Sequence, residues 1–152
     1  MAEYAYNPVQ VVQPNQPVLL DTVIPCRKGF VYHRDQSGIL TLKGAVNNPC
    51  ACFARYQVTF NGNVAVPTGT TVGPISLSLA ISGEPIATSR AIVTPAAVEQ
   101  YFNVTSTAII TVPRGCCFNV SVENTSESAT PATTPAPAIN VQNANLTVSR
   151  IA

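Results

Sequence analysis

The sequence predicts an all-β fold, a sandwich or small barrel in one domain with an extended N-terminal arm, and three observations carry that expectation. Charged residues make up 10% of the 152-residue chain, against about 25% in ordinary globular proteins. Thr, Ser, Asn, Gln and 13 prolines stand in their place, and such residues favour strands and turns over helix interiors. From residue 29 onward apolar and polar residues alternate in short period-two runs bounded by turn residues, the mark of half-buried strands. No internal repeat at a fixed period is visible, which disfavours propellers and solenoids and leaves a sandwich or barrel.

Residues 1–25 carry prolines at positions 8, 14, 17 and 25, spaced so that no helix runs through them. This segment reads as an extended arm. Its apolar residues Tyr4, Tyr6, Val11, Val12, Val18, Leu19 and Leu20 are too many for a solvated linker, so they are the expected contact surface for a subunit or partner.

The body follows over residues 26–152, and its first strand pair is expected at residues 30–34 and 39–43, parted by Asp35, Ser37 and Gly38. A third strand, residues 52–60, puts Cys52, Ala54, Tyr56, Val58 and Phe60 on one face, and Asn61-Gly62-Asn63 ends it with a strong turn signal. Residues 74–82 set Ile75, Leu77, Leu79 and Ile81 against Ser76, Ser78, Ala80 and Ser82, before Gly83-Glu84-Pro85 turns the chain. One helical turn is expected at residues 94–99, where Thr94 can cap and Pro95 suits the first helical position. A strand over residues 104–112 stops at Pro113-Arg114-Gly115. The next places Cys116, Phe118, Val120 and Val122 on one face and Cys117, Asn119, Ser121 and Glu123 on the other. Residues 124–138 form a low-complexity outer loop. The last strand, residues 138–151, turns Ala144, Leu146 and Val148 one way and Asn145, Thr147 and Ser149 the other.

Eight Lys and Arg against seven Asp and Glu leave a formal charge of +1, too little to neutralise a phosphate backbone, so nucleic acid is not an expected partner. No stretch nears the roughly 20 apolar residues of a membrane helix. Residues 1–10 have neither the basic start nor the apolar core of a secretory signal, so the expectation is a protein made in the cytoplasm with reduced thiols. The catalytic inventory is thin. His33 is the one histidine, and between Tyr32 and Arg34 on an early strand it reads as a surface or interface residue rather than a base. Asp21, Asp35, Glu84, Glu99, Glu123 and Glu127 fall in expected turns or outward positions. GAVNN and PTGTTVGP lack the spacing and strand-to-helix context of a phosphate loop. No catalytic residue, metal or cofactor is expected.

The five cysteines Cys26, Cys50, Cys52, Cys116 and Cys117 are an odd number, so one stays unpaired within a monomer. Spacing argues against zinc, since adjacent Cys116 and Cys117 on a strand point to opposite faces. Two readings stay open: Cys52 and Cys116 as small core thiols on apolar faces, or a disulfide joining Cys50 or Cys26 to an outward thiol such as Cys117. The sequons at Asn103, Asn119, Asn124 and Asn145 read as outward polar positions.

Residues 30–42, FVYHRDQSGILTL, and 75–86, ISLSLAISGEPI, resemble the opening strands and central hairpin of the jelly rolls of tumour necrosis factor, complement globular heads and spore-surface collagen-like glycoproteins. PRGCCFNVSVENTS and the later INVQNANLTVSRI resemble that group's closing strand pair, although the Gly-x-y stalk is missing and the cysteine pairs are not a feature of the group. The whole chain is also similar to small virion structural proteins of tailed phages and prophages of Gram-positive bacteria. The resemblance implies an antiparallel jelly-roll sandwich that assembles as a homotrimer and carries no catalytic residues. Tyr56, Tyr101 and Phe102, aromatics beyond what one core needs, are then expected between subunits. With the apolar, proline-punctuated arm, the expectation is a virion protein that docks on a capsid or tail through that arm, and its low-charge surface of Thr, Ser and Asn suits weak contacts with glycans. A bacterial cell- or spore-surface module is the alternative. A glycan-acting enzyme is a third reading, which requires a pair of inward carboxylates.

Overall fold

The computed structural model describes residues 1–24, 29–128 and 135–152. The strands are β1 (Ala2–Tyr6), β2 (Gln10–Val12), β3 (Thr22–Ile24), β4 (Val31–His33), β5 (Leu40–Lys43), β6 (Phe53–Ala65), β7 (Ile75–Ile81), β8 (Glu84–Pro85), β9 (Ala91–Val93), β10 (Phe102–Pro113), β11 (Cys117–Asn124) and β12 (Ile139–Arg150). They form two antiparallel sheets, so the fold is all-β as the alternation predicts. The first runs β10-β6-β12-β1-β3, with β2 also on β12, and the second runs β4-β5-β11-β7-β8, with β9 on β7. Inward positions of the long strands fill the space between them: Ala54, Tyr56, Val58 and Phe60 of β6, Leu146 and Val148 of β12, and Leu40, Leu42, Val120 and Val122 opposite, all buried. Each large apolar side chain so placed contributes about 1.5–3 kcal/mol before ordering costs.

The N-terminal segment is extended, as its prolines require, but it is folded into its own body instead of reaching away from it. Strand β1 lies between β12 and β3, with Ala2 opposite Val148 and Tyr6 opposite Ala144. Strand β2 pairs the start of β12. The chain then crosses to the second sheet, where Asn15 N donates to Asn124 O (2.8 Å) and Val18 N to Val122 O (2.7 Å). Tyr4, Val12, Val18 and Leu20 are buried in the common core. The period-two signal is weak over so short and proline-broken a stretch, and the backbone hydrogen-bonding groups left on β12 and β11 are what capture it.

Three other local expectations are corrected. Strand β6 runs straight through Asn61-Gly62-Asn63. A Cβ at Gly62 would lie 2.8 Å from Phe60 Cζ, so the glycine makes room for a ring, and Asn103 Nδ2 donates to Oδ1 of Asn61 (2.7 Å) and Asn63 (3.2 Å) across the ladder. The irregularity falls on the facing strand instead, where the β12 register shifts between Gln142 and Asn145 and Asn143 takes φ 52°. Residues 94–99 form no helix: the N–H groups of Ala96 and Ala97 donate to Gln100 Oε1, and Glu99 turns back at φ 56° with its N–H on Val66 O. The helical turn is a 3-10 turn at Ala87–Ser89. Asn124 is fully buried rather than outward. Its Nδ2 donates to Val12 O (3.0 Å) and Pro137 O (2.9 Å), and its Oδ1 accepts from Ser126 N (3.0 Å).

Candidate functional site

One end of the sandwich gathers the starts of β1, β4, β6 and β11 and the finishes of β5, β10 and β12. Antiparallel register puts them level, with Phe53 opposite Pro113, Lys43 opposite Cys117 and Tyr56 opposite Arg150. Backbone hydrogen bonds join the connecting loops into a rim: Lys43 N to Phe30 O (2.9 Å), Gly44 N to Cys116 O (2.8 Å), Arg114 N to Cys52 O (2.8 Å) and Arg55 N to Ala152 O (2.9 Å). The Arg150 guanidinium lies 4.2 Å from the Phe30 ring centroid and closes the circuit. Gly44 permits the approach, since a Cβ there would stand 1.9 Å from Pro113 O.

Four cations occupy this rim, Lys43, Arg55, Arg114 and Arg150, half of the chain's eight Lys and Arg. Lys43, Arg55 and Arg114 are exposed and Arg150 is half-buried. None meets a carboxylate side chain. Among the described residues the one such ion pair is Arg90 Nη1 with Glu127 Oε1 at 2.7 Å, away from this end. Arg114 Nη1 donates to Pro49 O (2.9 Å) and Arg150 Nε to Ala152 O (3.2 Å), while the Arg55 guanidinium lies 4.9 Å from the Phe53 ring centroid. Glu3 is the nearest acid in the first sheet, and its Oε1 accepts from Asn145 Nδ2. Inside the rim opens a cleft of about 380 Å³ lined by Phe30, Val31, Tyr56, Val148, Arg150 and Ile151 among others. Tyr56 Oη donates to Lys43 O (2.5 Å). Burial pushes its pKa up, Arg150 opposes that, and Cys117 adds to it, so the phenol stays a neutral donor.

Sequence reasoning passed over these cations because they stand singly, at positions 43, 55, 114 and 150, and only a run of like charge is legible before folding. It did single out the cysteines. Cys50, Cys52, Cys116 and Cys117 are exposed free thiols at this end, and Cys26 lies outside the described residues. Cys52 and Cys116 are therefore not core thiols. They continue the inward faces of β6 and β11 by one position, but those strands begin at Phe53 and Cys117 and the sandwich ends before reaching them. Iodoacetamide applied to the native chain is expected to label all four without denaturant, as peptide mass spectrometry would read. Protection of Cys52 or Cys116 would restore the core assignment.

Of the residues expected at interfaces, Tyr56 is wholly inside its own chain and is corrected to a core residue. Tyr4, Val12, Val18 and Leu20 are likewise spent on the core, whereas Tyr6 and Leu19 are half-buried and Val11 is exposed. Tyr101 and Phe102 are half-buried at the far end of β10. Burial, then the Glu99 charge, raises the Tyr101 pKa. His33 directs Nε2 to Ser37 O (3.0 Å) and lies beside Tyr4, with ring centroids 5.0 Å apart. That hydrogen bond is to a carbonyl and not to a nucleophile. Among the described residues no group of three or more His, Cys, Asp or Glu could hold a metal ion, and no helix is long and apolar enough to cross a membrane.

No known protein family and no curated protein matches the chain in sequence. Solved structures do match in fold. The globular domain of zebrafish complement 1qA protein superposes with a TM-score of 0.55 at 17% identity, covering 96% of this chain and 94% of that one. The Eiger tumour necrosis factor of S. frugiperda gives a TM-score of 0.61 at 10% identity, covering 100% and 92%. At such identities the likeness establishes the fold alone, and the chain is an antiparallel jelly-roll sandwich similar in fold to these two domains.

Proposed function

We propose that the chain is a non-enzymatic display or attachment module that works as a homotrimer, of the kind that decorates a phage capsid or forms a head fibre. The observation that carries the assembly reading is the outer face of the first sheet. Its strands hold three charged residues, Glu3, Arg55 and Arg150. Across its middle run the uncharged rows Thr107-Thr59-Thr147 and Ile109-Gln57-Ser149. Ile109, on the edge strand β10, is 63% exposed on that face, where a charge-poor surface suits a neighbouring copy. The trimeric number follows from the resemblance of the sequence pattern, and Tyr101 and Phe102 at the edge of the same sheet fit as flanking contacts.

Ile109→Glu is expected to leave the fold intact, because the side chain is outward, and to convert trimers to monomers, because an unpaired carboxylate buried between subunits costs several kcal/mol. Sedimentation velocity reads the change, and a trimer that tolerates the glutamate would move the interface elsewhere. The virion role is tested by peptide mass spectrometry on particles purified from the source that encodes the chain, with its cell envelope alongside. Recovery in the particles supports the virion. Recovery in the envelope supports the alternative of a cell- or spore-surface module, for which the Thr-, Ser- and Asn-rich face would meet glycans.

A further inference from the structure

We propose that the cationic rim is a docking surface for an acidic face of a partner protein. The inference rests on the reading of the chain as an assembly module and names the end by which it attaches. Lys43, Arg55, Arg114 and Arg150 stand on one circuit, Lys43 through its main chain alone and the three guanidinium groups also through Pro49 O, Ala152 O and the Phe30 and Phe53 rings, with no carboxylate side chain among the described residues to answer them. In a chain of net charge +1 this gathers half the cations at one end, and such a local excess steers an oppositely charged surface. Three of the four are guanidinium groups, whose planar fork matches carboxylates two bonds at a time.

The surroundings favour a protein over a nucleic acid. Phe53 (40% exposed), Ile151 (49%) and Met1 (79%) are open to solvent at this end, and aromatic residues, Met and Arg without Asp or Glu are the composition of a protein interface core. Four charges are also too few to hold a phosphate backbone at physiological salt. The rim's backbone is held by main-chain hydrogen bonds, so docking has side chains to order but not the loops that carry them.

The test uses the full chain over surfaces carrying poly-L-glutamate or duplex DNA. Retention on polyglutamate is expected at about 50 mM salt and is lost by about 0.5 M. The double variant Lys43→Ala, Arg55→Ala, whose side chains are exposed, is expected to weaken it about tenfold, while Arg34→Ala, outside the rim, leaves it unchanged. Circular dichroism checks that each variant folds. No retention, equal loss on Arg34→Ala, or stronger retention on DNA than on polyglutamate at physiological salt would each overturn the assignment. Light scattering on the same samples separates the two proposals: a trimer that ignores polyglutamate defeats the docking surface alone, and a monomer that binds it defeats the trimer alone.

Discussion

A chain lacking residues 1–20 is expected not to fold. The deletion removes β1 and β2 together with the stretch bonded to β11, and with them the buried side chains of Tyr4, Val12, Val18 and Leu20. At about 1.5–3 kcal/mol for each large apolar group, the loss reaches roughly 6–12 kcal/mol, which spans most of the 5–15 kcal/mol that holds a domain together. Strand β3 loses its partner as well, since its ladder is to β1. Circular dichroism and thermal melting of the truncated chain would show no cooperative transition. A soluble, strand-rich product with a sharp melt would mean that the segment is a detachable arm after all, and that its docking role survives.

Asn124→Ala is the second large effect. The amide serves three backbone partners from three parts of the chain, Val12 in β2, Pro137 before β12, and Ser126 after β11. Removing it leaves the Val12 carbonyl and the Ser126 N–H without their partner in a buried site, at about 1–3 kcal/mol for each unsatisfied group, and the Pro137 carbonyl without its partner in a partly buried one. Even at the low end the two buried groups total about 2 kcal/mol, a large fraction of a domain's stability. Urea unfolding is expected to show the midpoint falling with the slope unchanged. A variant within about 0.5 kcal/mol of the parent would mean that other groups or water replace the amide without loss.

Where the sequence was legible, the reason is the pleat. Ala54, Tyr56, Val58 and Phe60, or Ala144, Leu146 and Val148, can all face one way only if the strand is regular, and they do. Apart from the cysteines, which lie just past the ends of their strands, the misreadings share a cause: signals that are local in sequence were overruled by neighbours far along the chain. Asn61-Gly62-Asn63 spells a turn by itself but lies between β10 and β12, whose ladders keep it extended. Asn124 spells a sequon, yet Val12 and Pro137 converge on it. Ser76 and Ser78 alternate as outward residues should, and are buried because Thr125, Ser126 and Arg90 fold over them. The cationic rim was the least legible feature, because its four members come from four separate strands and loops and become neighbours only through register.

The most direct test of the central claim is the mass of the full chain in solution. Multi-angle light scattering at micromolar concentration in reductant, which keeps the exposed thiols from linking copies, is expected to give three times the 16.0 kDa chain mass. It should fall to one chain mass on Ile109→Glu. A stable monomer at that concentration would contradict the account, because the charge-poor outer face of the first sheet would then have no second copy to cover it.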